Sequence, residues 1–310
     1  MLRMILLPLD GSPFGEAAAP VALKLARAAS GSVHLALAHR PIVPLGPVAE
    51  AAAAPPSLDE DLRTRERAYL EARVAVLTRK GGPEITHAHL DGPPGQAVVA
   101  EANRIGADLI VMAAHGRGAL GRLWLGSVAD HVIRHAAMPV LLVRPETGEA
   151  AAAEATPLRR ILVPLDLSAE SEAVLETVAE IAILAEAGVT LLHIVEPFFD
   201  LVDPAAPYPL AVDSRITEGR LNEAERRLER AAGRLRDAGI RVETRILEST
   251  SAAGGILEAL ERDEADLVAM TTHGEGGVRR LVLGSVTDKV IRGSRKPVLA
   301  MRPPAPKEEP

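Results

Sequence analysis

Two passages of the sequence place histidine, glycine and serine at one fixed spacing. In each, a His-Gly pair is followed after nine residues by Gly-Ser, at His115-Gly116 to Gly126-Ser127 and at His273-Gly274 to Gly284-Ser285. Glycine permits positive φ and close approach of the backbone to a ligand. A helix that begins at such a serine presents free N–H groups and the positive end of its dipole. The chemistry that this pattern favours is phosphate binding.

A structural role for the serines is the main alternative. Ser127-Val-Ala-Asp130 and Ser285-Val-Thr-Asp288 both fit the capping-box pattern, in which the serine hydroxyl caps its own helix. The further glycines Gly118 and Gly121 are not required by a cap, and they favour the phosphate interpretation.

Two other nucleotide motifs are disfavoured. Gly116–Gly121 contains the spacing G-x-G-x-x-G, but it follows the fourth predicted strand and precedes its helix by several residues, whereas a dinucleotide fingerprint follows the first strand. The pattern G-x-x-x-x-G-K-[ST] does not occur, which excludes a P-loop NTPase.

Carboxylates and histidines add candidates around these passages. Asp10 and Asp166 end predicted strands and could hold a ribose hydroxyl or a metal ion on the phosphates; the alternative is a turn or N-cap carboxylate. His115 and His273 face either phosphate or solvent. The arginines near the passages either neutralise a triphosphate or are solvated; they are Arg117, Arg122, Arg279 and Arg280.

Two pairs of histidines have spacings that a metal could use. His131 and His135 lie one helical turn apart, and His87 and His89 alternate along a predicted strand. At the corresponding places the second half of the chain has Lys289 and Gly293, and Thr244 and Ile246. Because neither pair recurs, we favour surface histidines over a metal site in both cases.

The whole chain is an internal duplication that positions these residues. The segment Arg3–Asp10 returns as Arg159–Asp166, and Met138–Pro145 returns as Lys296–Pro303, with a period of about 157 residues. That period is far longer than a solenoid repeat and predicts two complete domains. We place them at 1–145 and 158–303, joined by a linker at 146–157 and followed by a flexible tail at 304–310.

Each copy alternates predicted strands with helices. In the first copy the strands are Met4–Leu9, Ser32–Ala38, Ile85–Leu90, Asp108–Ala113 and Val140–Val143, and the helices are Pro13–Ala29, Leu58–Arg79, Gly95–Arg104 and Ser127–His135. Long loops are expected at Arg40–Ser57 and Pro197–Val212. The alternation predicts an α/β fold of two tandem doubly wound domains, each with a five-stranded parallel sheet and helices on both faces. Ligands of such sheets bind at the carboxyl ends of the strands.

Composition excludes several functions. The net charge is −7 and aromatic residues make up 2% of the chain, which argues against binding of nucleic acid. There is no cysteine, so thiolate chemistry and disulfides are absent. The apolar run at Met4–Leu9 is short and ends in Pro-x-Asp, so it predicts a buried strand and neither a signal peptide nor a membrane anchor. We expect a cytoplasmic protein.

Both halves resemble universal stress protein domains. The resemblance rests on Pro-x-Asp after the first strand, a hydrophobic residue closing the second, Gly92-x-Pro94 before the third helix, and the passage G-x2-G-x9-G-[ST]. It covers nearly all of both halves and identifies the chain as similar to tandem members of that family.

The resemblance implies ATP binding, or binding of ADP or AMP, with Mg²⁺ or Mn²⁺ possible on the phosphates, and a regulatory or protective role in stress. Carried over to this sequence, the nucleotide-binding residues are Pro8, Leu9, Asp10, Ala38, Ala113, His115, Gly116, Gly126, Ser127 and Val128 in the first copy. In the second copy they are Pro164, Asp166, Ile194, Thr271, Gly274, Gly284, Ser285 and Val286. The resemblance also implies that the last strands pair the halves as a pseudo-dimer, with a further homodimer plausible.

The second copy departs further from the family pattern than the first. At the position of the first glycine of the family motif, the second copy has Thr271 and the first copy has Ala113. Leu167 of the second copy stands where the first copy has Gly11. Ser249-Thr-Ser251 stands in place of Gly92-Pro-Pro94. We therefore expect the first copy to be the better nucleotide site. A slow ATPase, with no general base beyond Asp10, and an interaction protein that has lost its ligand remain the alternatives.

Overall fold

The computed structural model describes residues 2–41, 56–78, 82–114, 125–144, 158–196, 214–274 and 283–303. The chain divides into two compact units, 1–156 and 157–310. The division falls beside the predicted linker, and residues 146–157 and the tail 304–310 lie outside the described residues. Within the described residues, no helix is long and apolar enough to span a membrane.

The first unit alternates strands and helices throughout. Its strands are β1 (Met4–Leu9), β2 (Ser32–Ala38), β3 (Glu84–Leu90), β4 (Leu109–Ala113) and β5 (Val140–Val143). Its helices are α1 (Pro13–Glu16), α2 (Ala19–Ala28), α3 (Pro56–Thr78), α4 (Pro94–Ile105) and α5 (Ser127–His135).

The strands of the first unit pair in parallel in the order β3-β2-β1-β4-β5. Parallel neighbours require crossover connections, and the helices supply them. Strand order reverses at β1, which lies between β2 and β4, so the ligand-binding edge expected of this topology is at the carboxyl ends of those strands. The α/β class and the tandem arrangement are confirmed.

The second unit repeats this architecture. Its strands are β6 (Arg160–Pro164), β7 (Gly188–Val195), β8 (Val242–Glu248), β9 (Leu267–Thr271) and β10 (Val298–Met301). Its helices are α6 (Ala169–Glu172), α7 (Val174–Ala185), α8 (Ser214–Asp237), α9 (Ala252–Arg262) and α10 (Ser285–Gly293). The order is β8-β7-β6-β9-β10, again parallel.

The central strands are apolar on both faces, as expected of a sheet covered by helices. Ile5, Leu6 and Leu7 of β1 are fully buried, and so are Leu109 and Ile110 of β4. By contrast, no residue of β3 is fully buried: its residues are exposed or partly buried, as expected of a strand at the edge of the sheet.

Two predicted elements differ from the structure by more than one residue. The predicted helix Pro13–Ala29 is two helices, α1 and α2, because Pro20 has no N–H to donate to the preceding turn and instead occupies the first turn of α2. Helix α3 begins at Pro56, inside the predicted loop Arg40–Ser57. The rest of that loop, and the predicted loop Pro197–Val212, lie outside the described residues.

Candidate functional site

A pocket of about 390 Å³ opens at the carboxyl edge of the second unit. Its walls come from the ends of β6, β7 and β9 and from the start of α10, so it occupies the point where strand order reverses. The pocket is lined by all eight residues of this half that the sequence analysis predicts as nucleotide-binding: Pro164, Asp166, Ile194, Thr271, Gly274, Gly284, Ser285 and Val286.

Asp166 is held at the pocket by a turn that follows β6. Its Oδ1 accepts hydrogen bonds from the backbone N–H of Ser168 at 2.9 Å and from the Ser168 hydroxyl at 2.6 Å. The same hydroxyl accepts from the N–H of Ser171 at 3.1 Å and caps α6. The turn role that the sequence left open for Asp166 is therefore present, and the carboxylate still lines the pocket.

The two motif glycines of this half are required by close contacts rather than by positive φ. A Cβ at Gly274 would overlap Oδ2 of Asp166, and one at Gly284 would lie 2.9 Å from the carbonyl oxygen of Thr272. Real Cβ atoms do not approach backbone oxygens that closely. The absence of side chains at the two glycines thus allows the start of α10 and the end of β9 to pack directly against each other and against Asp166.

The capping-box interpretation of the serines is wrong. The N-cap of α10 is Gly284 and that of α5 is Gly126; Ser285 and Ser127 are the first residues inside their helices. Neither N-cap makes a side-chain capping bond among the described residues. Asp288, the other half of the supposed box, pairs instead with Arg292 at 2.9 Å. The α10 N-terminus therefore faces the pocket with backbone donors and a positive dipole end.

Thr271 replaces the first glycine of the family pattern, and one hydrogen bond from its side chain and one to its backbone fix its position. Its hydroxyl donates to the carbonyl oxygen of His273 at 2.7 Å, while Thr287 donates from its hydroxyl to the Thr271 carbonyl oxygen at 2.9 Å. Both threonines are buried. The β-branched side chain thus has its polar atom satisfied by the local backbone.

Sequence reasoning missed several pocket residues. His193 lies one residue before the nominated Ile194, and its Nδ1 is 2.8 Å from the Leu165 carbonyl oxygen. Ser171, Ala252, Ile256, Met270 and Thr287 also line the pocket. The residues of this set that lie in helices belong to no sequence motif. Only the packing of α6 and α9 against the sheet brings them to this edge.

The corresponding residues of the first unit lie at the same edge of its sheet. Pro8 and Leu9 end β1, Ala38 ends β2 and Ala113 ends β4, while Gly126, Ser127 and Val128 start α5. Asp10 repeats the Asp166 turn, accepting from the N–H and hydroxyl of Ser12 at 2.9 and 2.6 Å. His115 and Gly116 lie outside the described residues, as do Arg117, Arg122, Arg279 and Arg280.

Of two departures of the second copy, one keeps the backbone conformation of the first unit and the other changes it. Gly11 has φ of 74° and Leu167 has φ of 68°, so the leucine adopts the left-handed conformation that glycine adopts in the first unit. Gly92 has φ of 103°, whereas Ser251 of the replacing segment caps α9 through its hydroxyl, which accepts from the Gly254 N–H at 3.3 Å. The turn before the third helix has therefore been rebuilt in the second unit.

The histidine pairs also have defined surroundings. His131 and His135 stack with ring centroids 4.0 Å apart, and His131 packs against Gly95 of α4, where a Cβ would lie 2.8 Å from it. His89 contacts Glu66, whereas His87 is exposed.

These features define a class: two doubly wound α/β domains, each with a glycine-flanked helix N-terminus at the switch point. The model of the universal stress protein family matches residues 1–144 and 157–302, so the chain belongs to that family.

Individual relatives agree with that assignment. A universal stress protein of Thermus aquaticus is 35% identical over 145 residues, which is 46% of this chain and 100% of that protein. One from Mycolicibacterium smegmatis is 31% identical over 197 residues, 64% of this chain and 62% of that protein. The crystal structure of a universal stress protein from Archaeoglobus fulgidus has the same fold, with a TM-score of 0.63, 19% identity and coverage of 98% of this chain and 97% of that chain.

Proposed function

We propose that the protein binds an adenine nucleotide, ATP or its di- or monophosphate, in the pocket of the second unit and at the matching edge of the first. The observation that carries the proposal is the convergence of all eight nominated residues of the second half on one pocket at the switch point. Its volume of about 390 Å³ is in the range of small-ligand sites.

The chemistry of the lining suits a nucleotide in one orientation. The start of α10, with Gly284, Ser285 and Val286, supplies backbone donors for phosphate. Asp166, two residues after β6, has a carboxylate at the pocket, which supports a role in holding a ribose hydroxyl or Mg²⁺ or Mn²⁺ carried on the phosphates. Ile194 at the end of β7 and Ile256 of α9 offer apolar surface for the base.

The geometry supports keeping the second unit as a candidate binding site. Thr271 is one of the sequence arguments against that unit, because a β-branched side chain intrudes beside a ribose; the others are Leu167 and the segment Ser249–Ser251. The hydroxyl of Thr271 is bonded to the His273 carbonyl oxygen, so the pocket gains no unsatisfied donor or acceptor from the substitution. We therefore include the second unit as a binding site in its own right.

We further propose that nucleotide occupancy serves a regulatory or protective role in stress. Slow ATP hydrolysis at the same site is the second candidate, and Asp166 is its nearest base. An interaction protein without a ligand is the third.

Release of bound nucleotide tests the proposal directly. Protein purified from the expression host is denatured, and the supernatant is analysed by chromatography and mass spectrometry for ATP, ADP and AMP. Calorimetric titration of the same protein with ATP and ADP follows. Absence of released nucleotide together with absence of binding at millimolar concentration contradicts the proposal and favours the interaction protein.

Ser285→Glu locates the phosphate site. The new carboxylate stands at the helix N-terminus, where it repels a phosphate, and we expect ATP affinity of the second site to fall at least about tenfold, about 1.4 kcal/mol. Ser285→Thr keeps the hydroxyl and is the matched control, with affinity unchanged. Equal losses in the two variants would place the phosphates elsewhere.

A further inference from the structure

Three potential metal ligands meet at the carboxyl edge of the first unit. His39 immediately follows β2, Glu66 lies in α3, and His89 is next to last in β3. The His39 side chain is fully buried, and those of His89 and Glu66 are 10% and 16% exposed. Buried groups of this kind are rare unless they are paired or bind an ion.

Glu66 stands between the two imidazoles. Its Oε2 lies 2.8 Å from Nδ1 of His39 and 2.7 Å from Nε2 of His89, and the ligand atoms of the three residues all lie within 4.8 Å of one another. Nitrogen and oxygen ligands about 2.0–2.1 Å from a tetrahedral Zn²⁺ are separated by about 3.3 Å. A small withdrawal of the Glu66 carboxylate therefore converts the present arrangement into a coordination sphere.

The surroundings of His39 are those of a metal ligand. Its second ring nitrogen, Nε2, is 3.0 Å from Oδ1 of Asp59, and Oδ2 of Asp59 accepts from Nε of Arg63 at 3.0 Å. A ligating histidine nearly always donates its other N–H to such a carboxylate, which fixes the ring and its tautomer. Arg63 also donates to Asp91, so the outer carboxylate is itself anchored.

The second unit shows that the fold does not need this cluster. Sheet register aligns the two copies, since Pro8 pairs with Ala36 and Pro164 with Leu192. Counting along from these pairs, the counterparts of His39 and His89 are Val195 and Ile246.

The third ligand, Glu66 of α3, also has an apolar counterpart in the corresponding helix of the second unit, α8. Glu66 precedes the buried Leu70 by four residues, as Ala224 precedes the buried Leu228. All three polar residues of the first unit thus have apolar counterparts in the second, which folds in the same way without them. Their role in the first unit is therefore more than the maintenance of the sheet edge.

We propose that His39, Glu66 and His89 form a binding site for Zn²⁺, oriented by Asp59. Two imidazoles and one carboxylate suit Zn²⁺ rather than Mg²⁺ or Ca²⁺, which prefer oxygen ligands. Three protein ligands leave a fourth position for water or an added group. The site uses none of the residues assigned to the nucleotide, and His39 directly follows one of them, Ala38.

Metal titration of the full chain tests the site. The protein is stripped with a chelator and titrated with Zn²⁺ against a chromogenic competitor, and with Co²⁺ to record its visible spectrum. We expect one high-affinity Zn²⁺ that is lost in His89→Ile and Glu66→Ala, each of which installs the residue of the second unit. Circular dichroism confirms that the variants fold. Asp59→Asn should retain the site but weaken it by about 10–100-fold.

Two controls remove histidines outside the cluster. His87→Thr and His131→Lys also install residues of the second unit, and both should bind Zn²⁺ like the unaltered protein. The proposal fails if the unaltered protein binds no Zn²⁺ tighter than micromolar. It also fails if folded His89→Ile binds as well as the unaltered protein, or if His131→Lys is the variant that loses the ion.

Discussion

At the scale of single residues, the buried pair His34 and Glu101 makes stability depend on pH. His34 Nε2 lies 2.8 Å from Glu101 Oε1, and its Nδ1 is 2.7 Å from the Thr86 hydroxyl. Burial, partly opposed by the attraction of Glu101, lowers the pKa of His34. The pKa of Glu101 is also lowered, chiefly by its hydrogen bond with Arg104.

The sign of the His34 effect follows from proton linkage. Unfolding returns the pKa of His34 to its ordinary value of 6.5, so below that pH the unfolded chain binds more protons than the folded one. The free energy of unfolding should therefore fall as the pH drops below 6.5, with a slope of at most about 1.4 kcal/mol per pH unit from this residue. Glu101 contributes a separate loss at lower pH, below 4.5.

Urea denaturation between pH 7.5 and 5 measures this contribution. His34→Gln removes the titrating group, so we expect its unfolding free energy to vary less over the interval than that of the unaltered protein. His87→Gln, on the exposed residue of the neighbouring strand, should change the pH dependence much less, because the charge of His87 is the weakest of the influences that act on the pKa of His34. Parallel pH profiles for His34→Gln and the unaltered protein would show that His34 does not carry the effect.

At the scale of secondary-structure elements, glycines have opposite effects in different places. Gly106 ends α4 in the left-handed conformation, with φ of 62° and open space around it. Gly233 lies inside α8, where an added methyl group would also meet no neighbour. Since crowding is absent at both sites, only the backbone conformation distinguishes them.

We therefore predict stability changes of opposite sign for two identical substitutions. Gly106→Ala should lower the free energy of unfolding by about 1 kcal/mol, because the Cβ is strained at positive φ. Gly233→Ala should raise it by up to about 1 kcal/mol through helix propensity. Urea titrations with matched denaturant slopes provide the measurement. Destabilisation by both substitutions would mean that contacts, not backbone conformation, decide the outcome.

Elements with a strong apolar pattern could be predicted from the sequence, whereas polar contacts between distant segments could not. The bounds of β1, β2 and β5 match the prediction, because each is a short apolar run between breakers. By contrast, Asp108 accepts hydrogen bonds from the N–H groups of Arg3 and Met4, at 2.7 and 2.9 Å. Asp266 does the same for Arg159 and Arg160. No local pattern signals a carboxylate that ties together strands about a hundred residues apart.

The two candidate sites also differ in how far the sequence could predict them. The residues of the candidate nucleotide pocket could be predicted from the sequence because they belong to short motifs at strand ends. The metal cluster was missed because each ligand is separated from the next by more than twenty residues. His89 was considered only beside His87, on its own strand. Its partners Glu66 and His39 come from α3 and the end of β2, and only the packed fold brings them to it.

At the scale of the whole molecule, a comparison of the two units distinguishes residues that the fold requires from residues that only one site requires. Both units keep Pro-x-Asp and the Gly-Ser helix start, whereas the histidine cluster belongs to the first unit alone. If both glycine passages bind phosphate, the chain should bind two nucleotides. Ser127→Glu and Ser285→Glu should each remove one of them in calorimetric titrations, and the double variant should remove both. A stoichiometry of one that only Ser127→Glu abolishes would restrict binding to the first unit.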